Sequence, residues 1–250
     1  MLDNDIKKYR EEINTKGFVR IPEAISKELI EYCIEDIQKA TDIDTYYDQN
    51  GFLRRIEKLY DKGQSLINLN NDITKILSII FGFDFVIFKD KYNAKPPNGE
   101  GFFAHYDGVF YFINESNKQE RGWYKYTDYF MNVLIALDKC DEENGTIELS
   151  CAHKGGFDKL LQNTKKNGTP DIIESVEKQL IFESVELNVG DVVIFSNTCP
   201  HRSSKNTSDK SRRTLYYTYT KQLEGSYYDQ YFLDKKNSKN KSSKSLSGEK

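Results

Sequence analysis

The chain holds three histidines, His105, His153 and His201, and any chemistry built on imidazole must draw on these. His105-Tyr106-Asp107 sets an imidazole and a carboxylate at i and i+2, which share one face of an extended strand and can bind one metal ion. Alone, this spacing is weakly specific: with 39 acidic residues in 250, three histidines produce it about half a time by chance. A second imidazole, His201, follows a run at 191–196 that reads as a buried strand, and Arg212 opens another strand beyond it. Two neutral imidazoles and one carboxylate make a facial triad that leaves three positions open on Fe(II), enough for a 2-oxo acid and dioxygen. The far carboxylate of such a cosubstrate needs a charged fork, which a guanidinium supplies in bidentate form.

The rest of the chain has to position these groups. Residues 1 to 82 read as mainly helical. Ser26 precedes the stripe Leu29, Ile30, Cys33, Ile34 and Ile37, an N-cap followed by an apolar face. A second stripe runs through Leu66, Ile67, Leu69, Ile73, Ile76, Leu77 and Ile80 and is ended by Gly82. Upstream, 17–22 reads as a short strand closed by Pro22. From Phe83 to Thr220 the texture changes to short runs of Val, Ile, Phe and Tyr between turn residues, at 83–88, 102–107, 129–137, 146–149, 181–187, 191–196 and 214–220. Asn188 to Asp191 reads as a tight hairpin turn between two of these. Short strands with mixed turn lengths indicate a sandwich or jelly roll, mainly β with the helices at the N-terminal end and packed outside. One domain over 1–233 is expected. Residues 234–250, with Leu246 their only hydrophobic side chain, read as a disordered Lys/Ser-rich tail.

Composition excludes several classes. The formal charge is −3, so no bulk positive field exists to gather nucleic acid or an anionic membrane. Aromatic residues make up 13%, against disorder as the overall state. Mean hydropathy is −0.70, and no stretch approaches the roughly 18 apolar residues of a membrane span. Cys33, Cys140, Cys151 and Cys199 show no C-x-x-C spacing and read as buried thiols in a reducing compartment. With no secretory h-region at its start, the chain is expected to be cytoplasmic. The residues set no oligomeric state.

At this point the sequence resembles the phytanoyl-CoA dioxygenase-like branch of the Fe(II)/2-oxoglutarate-dependent oxygenases, across residues 15 to 235. The likeness is carried by Gly17-Phe18-Val19 before Pro22, by 91–97, by His105-x-Asp107, by 143–149 leading into Cys151-Ala-His153-Lys154, and by 189–192. Its most specific part is 200–208 followed by Arg212-Arg213. Within the family, 215–219, Glu224-Gly225 and 231–235 are most similar to the organophosphonate hydroxylases. The resemblance implies the double-stranded β-helix, a cupin-like jelly roll, with Fe(2+), 2-oxoglutarate as cosubstrate and O2. It implies His105, Asp107 and His201 as iron ligands, Arg212 on the far carboxylate of 2-oxoglutarate, and Ser203, Asn132 and Thr146 as helpers in cosubstrate binding. One departure is Ser150-Cys151-Ala152-His153, where relatives usually carry Pro-Gly before Ser-His. His153 is taken as a loop residue. Asp107 is intact, where halogenating relatives carry a small residue, so hydroxylation with release of succinate and CO2 is the implied outcome.

Residues 108–128 are rich in aromatics and read either as a lid over a small-molecule pocket or as a rim loop. Lys91, Lys95, Tyr106, Arg121, Trp123 and Arg202 are candidate substrate contacts, and an anionic partner such as an aminoalkylphosphonate suits the cations among them. Hydroxylation of a CoA thioester, an amino acid or a natural-product intermediate stays open, as does a non-catalytic jelly-roll binding module.

Overall fold

A computed structural model describes residues 3–238. Seven strands form one antiparallel sheet in the order β1 (Phe18–Ile21), β11 (Val192–Ser196), β8 (Met131–Ala136), β13 (Arg212–Lys221), β4 (Phe85–Lys95), β3 (Leu53–Glu57) and β2 (Asp44–Tyr47). Four form a second sheet in the order β10 (Glu183–Ser184), β9 (Ile147–Leu149), β12 (His201–Ser203) and β5 (Phe102–His105). A small hairpin, β6 (Phe112–Ile113) and β7 (Gln119–Glu120), stands apart. The sheets face each other as an open jelly roll: Leu134, Ala136, Val193 and Phe195 of the large sheet share a buried cluster with Ile147 and Leu149 of the small one.

The alternate residues of the large sheet, Val133, Ile135, Val192, Ile194, Leu215, Tyr217 and Tyr219, point the other way. They are covered by the apolar stripes of α1 (Asp3–Lys16), α2 (Lys27–Lys39) and α3 (Gln64–Phe81). Both expected caps are present. The Ser26 hydroxyl accepts from the Leu29 N–H, and Gly82 takes a left-handed conformation (φ 80°) that lets its N–H reach the Ser78 carbonyl. Leu69 is fully buried in this layer. Leu69→Ala should lower unfolding free energy by about 2–5 kcal/mol, the range for truncating a buried leucine, read from the denaturant midpoint at unchanged m.

Besides α1 to α3 and β1, the segment 1–82 carries the hairpin β2–β3, whose polar residues, such as Arg54, Arg55 and Glu57, hide the strand pattern. Two expectations are corrected. The turn at 188–191 exists, with Gly190 at φ 86° and a Cβ there falling 2.2 Å from the Ile25 carbonyl oxygen, but it does not join a hairpin. β10 before it belongs to the small sheet and β11 after it to the large one, so the turn carries the chain between layers. The tail boundary at 233/234 also falls inside a helix, α6 (Tyr228–Asn237). Asp234 accepts from Lys125 and Tyr126, and Lys235 pairs with Glu57, so ion pairing compensates for the lack of apolar residues. The expectation for 239–250 lies outside the described residues. Two short helices, α4 (Phe157–Leu161) and α5 (Glu174–Glu177), complete the structure around the small sheet. No helix among the described residues is long and apolar enough to cross a membrane.

Candidate active site

His105 ends β5 and His201 opens β12, and the two are directly paired in the small sheet. Two residues beyond His105, on the same side of the extended chain, Asp107 joins them. One ligand atom from each lies within 4.8 Å of the others, the only such His/Cys/Asp/Glu group of three found among the described residues. The imidazoles are oriented for a metal: His105 Nδ1 lies 2.8 Å from the Phe103 carbonyl oxygen and His201 Nδ1 3.1 Å from that of Cys199. A carbonyl only accepts, so each Nδ1 carries the proton and each Nε2 offers its lone pair inward. Burial lowers the His105 pKa and, with His105 alongside, pushes His201 down to about 3, so both rings are neutral at physiological pH. Burial works to raise the Asp107 carboxyl, but His201, Lys91 and His105 around it hold it down at about 2. Two neutral nitrogens and one carboxylate oxygen converging in a buried pocket form a donor set suited to a divalent first-row metal.

Asn132 on β8 supports the triad from behind. Its amide nitrogen donates to Asp107 Oδ2 at 2.9 Å, and its oxygen accepts from Thr218 Oγ1 at 2.8 Å, which fixes the amide orientation. The Asn197 amide donates to the Asp107 carbonyl and to the Tyr124 hydroxyl oxygen.

A cavity of about 870 Å³ opens over the triad. Of the residues expected there, Lys91, Trp123, Arg202 and Ser203 line it with the three ligands. Arg202 is already engaged, its guanidinium donating to Glu148 and Glu177. Ser203 Oγ accepts from Lys95 Nζ, and that ammonium also donates to the Gly145 and Ser204 carbonyls, so Lys95 is spent on loop carbonyls rather than facing substrate. Thr146 donates to the Val185 carbonyl, tying β9 to the segment after β10. Tyr106 points to the opposite side of the strand from His105 and Asp107, as alternation requires, and its hydroxyl meets His153 and Asn163. Arg121 pairs with Asp158 and lies over the Phe157 ring, outside the cavity wall. The 108–128 segment is a rim: Trp123 and Tyr124 are buried, and Phe88, Trp123 and Phe130 pack edge to edge.

Arg212, at the start of β13, is 3% exposed. It donates to the Gly145 carbonyl and Thr214 Oγ1, while its Nε has no partner. It reaches the cavity by way of Tyr216, which lines the wall and touches the guanidinium. Lys95 lies across from it in the β4–β13 register, and burial together with the Arg212 and Arg54 charges pushes that ammonium down to about 6. A buried guanidinium with an orphaned N–H suits a carboxylate there.

The sequence missed much of the wall: Arg55, Glu57, Lys89, Asn93, Tyr216 and Tyr231 all face the cavity. One signal was visible. Lys89, Lys91, Asn93 and Lys95 place a polar group at every second position of β4, a polar face on an otherwise buried strand.

The phytanoyl-CoA dioxygenase family model matches residues 13–214. The chain belongs to the phytanoyl-CoA dioxygenase family. Among curated members of similar sequence, the 2-aminoethylphosphonate dioxygenase of an uncultured bacterium, HF130_AEPn_1, is 32% identical over 186 residues, covering 74% of this chain and 65% of that protein. The methylphosphonate hydroxylase of Gimesia maris is 31% identical over 160 residues, covering 64% of this chain and 54% of that one. The matches therefore span less than two thirds of either relative's length. Among solved structures, the non-heme alpha ketoglutarate dependent epimerase SnoN superposes with a TM-score of 0.66 at 14% identity, over 87% of this chain and 84% of that one. EctD from S. alaskensis superposes with the same TM-score at 13% identity, over 90% and 77%. Both likenesses bear out the jelly-roll fold.

Proposed function

We propose that the protein is an Fe(II)/2-oxoglutarate-dependent oxygenase that hydroxylates a small anionic molecule, an organophosphonate such as an aminoalkylphosphonate. The convergence of His105, Asp107 and His201, with both imidazole tautomers set by backbone carbonyls, carries the reading. The two phosphonate-oxidising relatives support the substrate class. Fe(II), 2-oxoglutarate and dioxygen supply the oxidising chemistry when bound, with 2-oxoglutarate leaving as succinate and CO2 and one oxygen atom entering a C–H bond of the substrate.

The chain's own residues do the rest. His105, Asp107 and His201 hold the metal on one side and leave the cavity side open. Asn132 keeps the Asp107 carboxylate turned inward through its Oδ2 bond. Arg212 takes the far carboxylate of 2-oxoglutarate, with Ser203 at the nearby wall. Thr146 acts one step back, fixing the strand that follows Gly145, whose carbonyl Arg212 and Lys95 both grip. The aromatic rim of Trp123, Tyr126 and Tyr231 keeps water from the substrate.

Anaerobic addition of Fe(II) and 2-oxoglutarate should produce the weak visible charge-transfer band of an iron-bound 2-oxo acid. Its absence in a protein shown to hold one iron per chain would overturn the reading. Succinate release stimulated by methylphosphonate or 2-aminoethylphosphonate would then separate a phosphonate hydroxylase from an oxygenase of other small molecules.

A further inference from the structure

The cavity runs along the inner face of β4 and β13, and their register orders its contents. Arg212 lies opposite Lys95, Tyr216 opposite Lys91, and Thr218 opposite Lys89. Thr218 is also opposite Asn132, the amide that holds Asp107. Lys89 therefore lies at the Asn132 end of the strand pair, while Arg212 lies six residues toward the other end, with its guanidinium reaching back to Tyr216. A cosubstrate extending from the triad toward Arg212 leaves the opposite half, walled by Arg55, Glu57, Lys89, Trp123, Tyr126 and Tyr231, to the substrate.

A bulge puts Lys89 there. The β13 pairing steps from Lys89 to Ile87, so Phe88 has no opposite number and turns into the aromatic cluster with Trp123 and Phe130. The Lys89 side chain is carried with it between two rings, its ammonium 4.9 Å from the Trp123 centroid and 5.3 Å from that of Tyr231. Lys89 is only 8% exposed, with its ammonium opening onto the cavity rather than sealed in the core. A charged donor at a wall poor in water gains when a ligand accepts its hydrogen bonds. The neighbouring carboxylate, Glu57, has its Oε2 bonded by Lys235 of α6 and by the Tyr46 hydroxyl at 3.2 Å, while its buried Oε1 accepts no hydrogen bond and Arg55 stands 3.8 Å from it. The cavity lining carries Arg55, Lys58, Lys89, Lys91, Arg202, Lys235 and Lys236 against Asp42, Asp44, Glu57, Asp107 and Asp234, seven cationic side chains to five carboxylates.

We infer that Lys89 is the receptor for the oxyanion head group of the substrate, and that the aromatic cage fixes its ammonium for that contact. The inference rests on the oxygenase reading above and deepens it by assigning the residue that selects an anion. Trp123, the single tryptophan of the chain, lies against Lys89 and provides a direct probe of the site. The test is a fluorescence titration of the full chain, loaded with Fe(II) and 2-oxoglutarate without oxygen, with methylphosphonate. Lys89→Met keeps the length and packing of the side chain and should weaken methylphosphonate at least tenfold, while Lys89→Arg recovers most of the affinity. The concentration of 2-oxoglutarate that half-saturates the charge-transfer band should stay within twofold. Unchanged methylphosphonate affinity in Lys89→Met would overturn the assignment and leave the phosphonate reading standing. A parallel loss of 2-oxoglutarate affinity would overturn it too, by placing Lys89 on the cosubstrate. If wild-type protein forms the charge-transfer band but binds no methylphosphonate, the phosphonate reading itself fails and the assignment falls with it.

Discussion

Asp107→Ala should reduce hydroxylation and coupled succinate release to background, a loss of at least about 10³-fold, well beyond the 10–100-fold that outer-sphere partners of metal ligands carry. The reason is the donor count. His105 and His201 are the chain's only imidazoles at the site, since His153 is bound to Tyr106 on the far side of β5. Among the described residues no other carboxylate joins His105 and His201 within ligand range, so none of them can replace Asp107. Asn132→Ala provides the internal comparison. It keeps all three ligands, removes only the amide that steers Oδ2, and should lose metal affinity by about 10–100-fold. Because His201, Lys91 and His105 hold the Asp107 pKa down, the ionised group stabilises the fold, so Asp107→Ala is expected to lower the melting temperature as well. A variant still folded at the assay temperature but without iron or turnover separates ligand loss from loss of fold. Iron content by direct assay, succinate release and a thermal melt on the same preparation check all three statements. Full turnover in Asp107→Ala would remove the residue from the ligand set.

How much of this was legible in the sequence follows from what kind of signal each feature leaves. Local periodicity was readable: the α2 and α3 stripes and the caps at Ser26 and Gly82 depend only on neighbours in the chain. The metal triad was readable because two of its members are two residues apart on one strand and the third sits in a distinctive Pro200-His201 run. What failed was parity and pairing over long range. The hairpin read at 188–191 requires knowing which sheet each flanking strand joins, and the strands part there. β2 and β3 were hidden because their inward positions carry polar groups such as Arg55 and Glu57, whose burial makes sense only once a polar cavity is present. Lys89 was legible only as one member of the polar alternation 89, 91, 93 and 95; its seat between Trp123 and Tyr231 depends on the bulge beside it at Phe88, which no composition reveals. Tyr106 and Arg121 were proposed for the site by chemical type and are excluded by direction: one faces away by strand alternation, the other is drawn to Asp158. The last turn of α6, from Asp234, was assigned to a tail because it has no apolar side chain, yet Asp234 accepts from Lys125 and Tyr126 and Lys235 reaches Glu57, contacts that a one-dimensional reading cannot weigh.

Arg212→Met should raise the KM for 2-oxoglutarate by about two orders of magnitude while the metal content stays that of wild type. A charge-assisted bidentate contact in a buried site is worth roughly 2–5 kcal/mol when one partner is removed, which brackets about 30- to 5,000-fold. The local geometry keeps the loss within that range, because no mobile cation can take the place of the guanidinium. Lys95 is next to it, but its ammonium already donates to the Gly145 carbonyl, Ser203 Oγ and the Ser204 carbonyl, and burial with the neighbouring cations holds its pKa near 6. Deleting Arg212 removes one of the charges that depress Lys95, so some positive potential returns, yet its three bonds keep it from swinging into the vacated space. Arg212→Lys should therefore rescue only part of the loss, since an ammonium offers a point charge where the site has room for a planar fork. The saturated rate at high 2-oxoglutarate should fall much less than the KM rises, because Arg212 is remote from the reacting centre and loses mainly binding common to ground and transition states. Equal falls in the saturated rate and in kcat/KM, with KM unchanged, would show instead that Arg212 acts on the chemical step and that the carboxylate lies elsewhere in the cavity.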